Sequence, residues 1–182
     1  MQPVPDKEII QLIKNDASRH QGFELLVRGY SEKTYRLIRR IVITHEDSDD
    51  VVQNVFIKIW NNIDNFRADA QLSTWIYRIA VNEALIFLKH KKMFHFIPYF
   101  NVEKKLANTL KDDNFFKADE VEMHLHKCIL SLPERQRLVF NMRYYEEFSF
   151  EEISKILNTS TGSLKASYHI AYQKIKKNLT AL

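Results

Sequence analysis

The sequence predicts an all-α protein of two small helical domains joined by a linker. Three observations lead there. The 182 residues include only 3 Gly and 4 Pro, too few for the closely spaced turns of a β-sandwich or barrel. Apolar residues recur at helical spacing along almost the whole chain, as they do in helices that bury one face. The pattern lapses over residues 93–119, where an aromatic cluster broken by Pro98 gives way to mixed charges and Asn. The domains are therefore expected at 1–92 and 120–182, with 93–119 as the linker.

Taken in order, residues 6–16 read as a first short helix and 20–43 as one or two more. The polar run His45 to Asp50 breaks the pattern and starts a strong helix. Ser48 is placed to cap it, and the neighbouring acids suit the positive end of a helix dipole. That helix reaches about Asn62 and is expected to bury Val51, Val52, Val55, Phe56 and Ile59. A loop from Asp64 to Gln71 leads to a helix from Leu72 to about Lys92. In the second domain an amphipathic helix precedes Ser131, and Ser131-Leu132-Pro133-Glu134 is a helix-start signal with Pro at an early helical position.

The last 34 residues carry the clearest local motif. Ser149-Phe150-Glu151-Glu152 fits a capping box, in which hydroxyl and carboxylate each satisfy an orphan backbone N–H. Ile153, Ile156 and Leu157 then form one apolar face. Asn158, a residue tolerant of left-handed backbone, and Thr159-Ser160-Thr161 form a turn. A second helix follows from about Gly162 to Asn178. Helix, tight turn, helix is the helix-turn-helix plan, whose second helix enters a DNA major groove.

Several function classes fall away. No apolar run approaches the roughly 20 residues that span a bilayer. The N-terminus lacks the basic and apolar regions of a signal peptide. The single Cys128 makes no internal disulfide, so a cytoplasmic location is expected. No P-loop, HExxH or Ser-His-Asp order is present, so an enzyme is not expected. His124 and Cys128 share a helical face with too few partners for a structural zinc site, so neither metal nor cofactor is expected. The net charge of +4 is too small to identify a nucleic-acid partner by itself.

Two blocks of residues identify a family. Leu132-Pro133-Glu134-Arg135-Gln136-Arg137, Ser149-Phe150-Glu151-Glu152-Ile153 and Gly162-Ser163-Leu164-Lys165 resemble region 4 of a bacterial RNA polymerase sigma factor. Asp49-Asp50-Val51-Val52-Gln53-Asn54-Val55-Phe56-Ile57-Lys58-Ile59-Trp60 and Ser73-Thr74-Trp75-Ile76-Tyr77-Arg78-Ile79-Ala80-Val81-Asn82 resemble region 2. With no other sigma region in sight, the sequence resembles the extracytoplasmic-function (ECF) group of the sigma-70 family.

The resemblance implies a monomeric initiation factor that binds core RNA polymerase at the β′ clamp helices and the β flap, recognises promoter DNA and melts it. Polymerase contact is carried over to Asp50, Gln53 and Ile57. Phe66, Trp75, Arg78 and Asn82 correspond to a pocket for a flipped base of the minus-ten element, with Phe66 stacking and Asn82 reading the base edge. Lys89, Lys91 and Lys92 are placed for phosphates. Ser163, Lys165, Ser167, His169 and Lys174 face the minus-thirty-five element, yet this helix lacks the arginines many relatives carry at Ser167, Ile170 and Tyr172. An anti-sigma partner is a further family expectation. A helix-turn-helix regulator acting without polymerase, or a degenerate relative serving as an interaction module, are the alternatives.

Overall fold

The computed structural model describes residues 4–67, 70–94, 115 and 120–180, with only the backbone described at 92–94 and 120. Among the described residues there are eight α-helices: α1 (Asp6–Lys14), α2 (Arg19–Val42), α3 (His45–Asn62), α4 (Leu72–Phe94), α5 (Glu120–Leu130), α6 (Glu134–Tyr144), α7 (Phe150–Leu157) and α8 (Thr161–Leu179). A 3₁₀ turn, Ile63–Asn65, follows α3. Contacts divide the chain into two compact units between Leu88 and Lys89. Apart from Met93 and Phe94, which end α4, and Phe115, the expected linker lies outside the described residues.

The first unit is built on α2. Ile9 and Ile13, one turn apart on α1, are both buried, and α1 lies so close to α2 that only glycine fits at position 22. A Cβ there would fall 2.7 Å from the Ile13 nitrogen and 2.8 Å from Leu12 Cβ. Tyr30 also ties the two helices, its hydroxyl donating to Asp6 Oδ1 at 2.6 Å. Residues 20–43, open to reading as one helix or two, fall mostly in the single helix α2, which buries Leu26, Leu37, Ile38, Ile41 and Val42. It stops at Ile43, whose φ of 80° and ψ of −47° end the helical path. Positive φ is uncommon for a β-branched side chain, and the burial of Ile43 helps hold it there.

The start of α3 departs from expectation. The helix begins at His45 with Thr44 at the N-cap. Ser48 lies inside it, fully buried, and donates to the Thr44 carbonyl at 2.6 Å. Its hydroxyl folds back on the preceding turn instead of meeting an orphan N–H. Glu46 and Asp47 take the first-turn positions favoured by the dipole. Val51, Val55 and Ile59 are buried as their spacing predicts, whereas Val52 and Phe56 are only half-buried. α4 in turn buries Leu72, Ile76, Tyr77, Ala80, Val81 and Ala84.

In the second unit Cys128, Ile129, Leu132, Phe140, Ala171 and Ile175 form one core cluster. Phe140 stacks on Tyr168 at 5.6 Å and on Tyr144 at 5.1 Å. Pro133 sits at the N-cap of α6, one position before the helix proper. The capping box is complete: Ser149 Oγ accepts from the Glu152 N–H, and the Ser149 N–H donates back to Glu152 Oε2 at 2.7 Å. Asn158 is left-handed, φ 49° and ψ 49°, and turns the chain from α7 into α8. The turn lets Ile153 and Leu164 bury fully, each contributing roughly 1.5–3 kcal/mol.

Candidate functional site

On α3, Asp50, Gln53 and Ile57 occupy one stripe by spacing and all are exposed. Ile57 is 53% exposed, an apolar side chain standing in a polar face. Its neighbour Lys58 leaves α3 in another direction and pairs with Glu83 on α4. Glu83 adjoins Asn82, so one ion pair links the helix of this stripe to the helix of the expected base-reading residues.

Arg78 and Asn82 are exposed and Trp75 is half-buried. They lie one to two turns apart on α4, as their spacing implies. Phe66 differs: its ring is 6% exposed and rests 5.4 Å from the ring of Trp75. The Phe66 N–H closes the 3₁₀ turn on the Ile63 carbonyl at 3.0 Å, and this turns the side chain inwards. The ring is thus covered beside Trp75, and the expected stacking surface is not exposed. Lys89 is exposed and Lys91 half-buried near the end of α4. The side chain of Lys92 lies outside the described residues, as do loop residues 68 and 69.

Arg19 was not among the sequence-derived candidates. Its guanidinium forks onto Asp64, Nη1 to Oδ1 at 2.8 Å and Nη2 to Oδ2 at 2.9 Å, and lies 4.9 Å over the ring of Trp60. The hydrogen-bonded guanidinium holds the Asp64 carboxyl below the usual carboxylate range. No local pattern announces a pair 45 residues apart.

On α8, Ser163, Lys165 and His169 are exposed and Ser167 is half-buried, while Leu164, Ala171 and Ile175 face the core. Ser160 caps the helix by accepting from the Ser163 N–H at 3.4 Å. Two expected DNA contacts are already engaged with α6. Arg135 donates to Ser163 Oγ at 3.3 Å, and Lys174 donates to Gln136 Oε1 at 3.1 Å. Sequence reasoning placed Arg135 and Gln136 only in a family block; their position at the start of α6, next to a Pro cap, was the available sign that they face outwards. Beside α8 lies a depression of about 310 Å³ lined by Phe150, Lys165, Tyr168, His169 and Tyr172. Lys165 Nζ sits 5.8 Å from the Phe150 ring, and Ile170 and Tyr172 are 46% and 49% exposed. At two of the three positions where arginine was missed, Ile170 and Tyr172, the helix therefore carries methyl and aromatic surface, and at the third a half-buried Ser167.

Burial raises the Cys128 thiol above its ordinary range. Among the described residues no group of three or more His, Cys, Asp or Glu is gathered as a metal site. Among the same residues no helix is long and apolar enough to cross a membrane.

Two helical units, the second ending in a capped helix-turn-helix with a basic outer face, define a DNA-binding class of protein. Comparison with known proteins specifies the class. The family described as Sigma-70 region 2 matches residues 26–93, and Sigma-70, region 4 matches residues 122–175. The ECF RNA polymerase sigma-E factor of Escherichia coli K12 is 31% identical over 170 residues, 89% of this chain and 88% of that protein. Two solved structures share the fold. CnrH, in complex with the cytosolic domain of CnrY, has a TM-score of 0.70 at 20% identity and covers 97% of both chains. The sigma factor RpoE of Bartonella quintana, in complex with the anti-sigma factor NepR, has a TM-score of 0.62 at 17% identity, covering 87% of this chain and 96% of that one. The chain belongs to the ECF group of the sigma-70 family. It is a transcription initiation factor, which directs RNA polymerase to promoters.

Proposed function

We propose that this initiation factor uses its first unit both to hold core polymerase and to open the promoter, without catalytic groups of its own. The observation that carries the reading is the arrangement of α3 and α4. One helix exposes Asp50, Gln53 and Ile57, the other exposes Arg78 and Asn82, and Lys58–Glu83 joins them. The α3 stripe docks on the β′ clamp helices. Arg78, Asn82 and the edge of Trp75 take a base flipped from the minus-ten element, with Phe66 joining the stack after its ring is released. Stacking contributes about 1–3 kcal/mol per base and offsets part of the unpairing. Lys89, Lys91 and Lys92 meet phosphates of the adjoining duplex.

The second domain, at 120–182, binds the β flap and lays α8 in the minus-thirty-five major groove, through Lys165, His169, Ser163, Ser167 and Lys174. The free factor is a cytoplasmic monomer. The RpoE relative is solved with an anti-sigma factor, which supports a restraining protein partner of that kind here.

Permanganate footprinting of reconstituted holoenzyme on single-base promoter variants tests the reading. Asn82→Ala should relax preference at one minus-ten position, by the roughly 1–3 kcal/mol of a base-edge contact. Lys89→Ala should weaken binding evenly and lower the salt slope. An unchanged base preference in Asn82→Ala would place the pocket elsewhere.

A further inference from the structure

We propose that Arg19 is a positioning residue for promoter opening: by clamping Asp64 it sets where the loop after α3 begins. The loop runs from the 3₁₀ turn Ile63–Asn65 to the start of α4 at Leu72. Its path at the outset is fixed at three successive points. Ile63 is buried, Asp64 is gripped from α2, and Phe66 is packed on Trp75. The middle point depends on Arg19, a residue outside the stretch that matches region 2, residues 26–93.

The geometry suits a positioning role. A two-point fork fixes the carboxylate in plane as well as in distance, which a single ammonium cannot do. The fork is itself held, because the guanidinium lies over Trp60 while His20 and Phe23 pack against the same indole at 5.1 and 4.9 Å. Arg19 is also the first residue of α2, so the clamp connects that helix end to the loop. The side chain of Asp64 is 59% exposed and that of Arg19 23%, so the pair adds little to global stability. Its effect falls on the position of Asn65, Phe66 and Arg67.

This inference rests on the proposal that the loop and α4 engage the minus-ten element. The test uses full-length protein reconstituted with core polymerase, with opening read by permanganate reactivity and assembly by titration against core. Arg19→Ala and Asp64→Ala should each slow opening about fivefold, the double variant no further than either single, as for two groups acting through one contact. Arg19→Lys keeps the charge, loses the fork and should stay impaired. The exchanged pair, Arg19→Asp with Asp64→Arg, should recover most of the rate. Assembly with core and the unfolding midpoint should stay close to wild type throughout. Normal opening in Arg19→Ala, additive losses in the double variant, or full activity in Arg19→Lys overturns the clamp. Asn82→Ala, measured alongside, separates the two failures. If it alters opening while Arg19→Ala does not, the clamp alone is wrong; if neither does, the minus-ten reading falls and the clamp with it.

Discussion

Gly22 and Gly29 lie seven residues apart on α2, and replacing each by alanine should change stability unequally. Both changes gain the same helix propensity, about 1 kcal/mol per residue. At Gly29 nothing lies within 4 Å of the new methyl, so that gain stands and the protein is stabilised by about 0.5–1 kcal/mol. At Gly22 the methyl would lie 2.7 Å from the Ile13 nitrogen, 2.8 Å from Ile13 Cγ1 and 2.8 Å from Leu12 Cβ. One of these atoms is backbone and another a Cβ, so no flexible side-chain end can swing clear. Either α1 slides outwards or the helices absorb the overlap, at roughly 1–3 kcal/mol. The cost has an upper bound. Ile9 and Ile13 anchor α1, and uncovering both would forfeit about 1.5–3 kcal/mol each. Gly22→Ala should therefore be less stable than Gly29→Ala by about 1–3 kcal/mol, the propensity term cancelling. Urea unfolding followed by tryptophan fluorescence reads this cleanly. The chain has two tryptophans, Trp60 and Trp75, and both lie in the first unit. Equal midpoints for the two variants would refute the close approach of α1 to α2.

Three further outcomes follow from local geometry. Ser149→Ala removes one half of the capping box and should cost the second unit about 0.5–2 kcal/mol, measured by circular dichroism melting. Asn158→Gly should be tolerated where Asn158→Val is not, because a branched side chain at φ 49° costs roughly 1–2 kcal/mol; thermal melts of the pair check it. Burial, reinforced by the bond to Asp6, pushes the Tyr30 hydroxyl above its ordinary range. A raised folded value means the contribution is complete below the unfolded value, about pH 10, and is lost as pH climbs beyond it. Tyr30→Phe should therefore flatten the alkaline fall in the urea midpoint, and a fall of unchanged steepness would contradict the assignment.

What the sequence made legible follows the range of the interactions. The α7–α8 turn was readable because its determinants, Ser149, Glu152, Asn158 and Ser160, act within four residues of themselves. The exposed stripe of Asp50, Gln53 and Ile57 was readable because helical spacing alone fixes it. The start of α3 was misplaced because Ser48 and Thr44 both suit a cap, and burial, which tertiary packing decides, sent Ser48 inside. Phe66 was expected to stack on a base from the family resemblance, and its burial beside Trp75 is decided by tertiary packing that the loop sequence does not show. Arg19 with Asp64 and Arg135 with Ser163 join residues 45 and 28 apart. Such pairs leave no periodic trace.

The ion pair between Lys58 and Glu83 gives α3 a mechanical meaning. Asp50 and Lys58 are eight residues apart on one helix, a rigid rod of about 12 Å between them. A tilt of about 5° about the Asp50 end would carry Lys58 sideways by roughly 1 Å, and Glu83 and its neighbour Asn82 with it. Displacements of that size are enough to spoil a reacting or reading geometry. If, as proposed, the α3 stripe seats on polymerase and Asn82 reads a base, the tolerance for seating this subunit is inherited by its grip on that base. A holoenzyme assembled slightly askew would be expected to misread as well as to bind poorly.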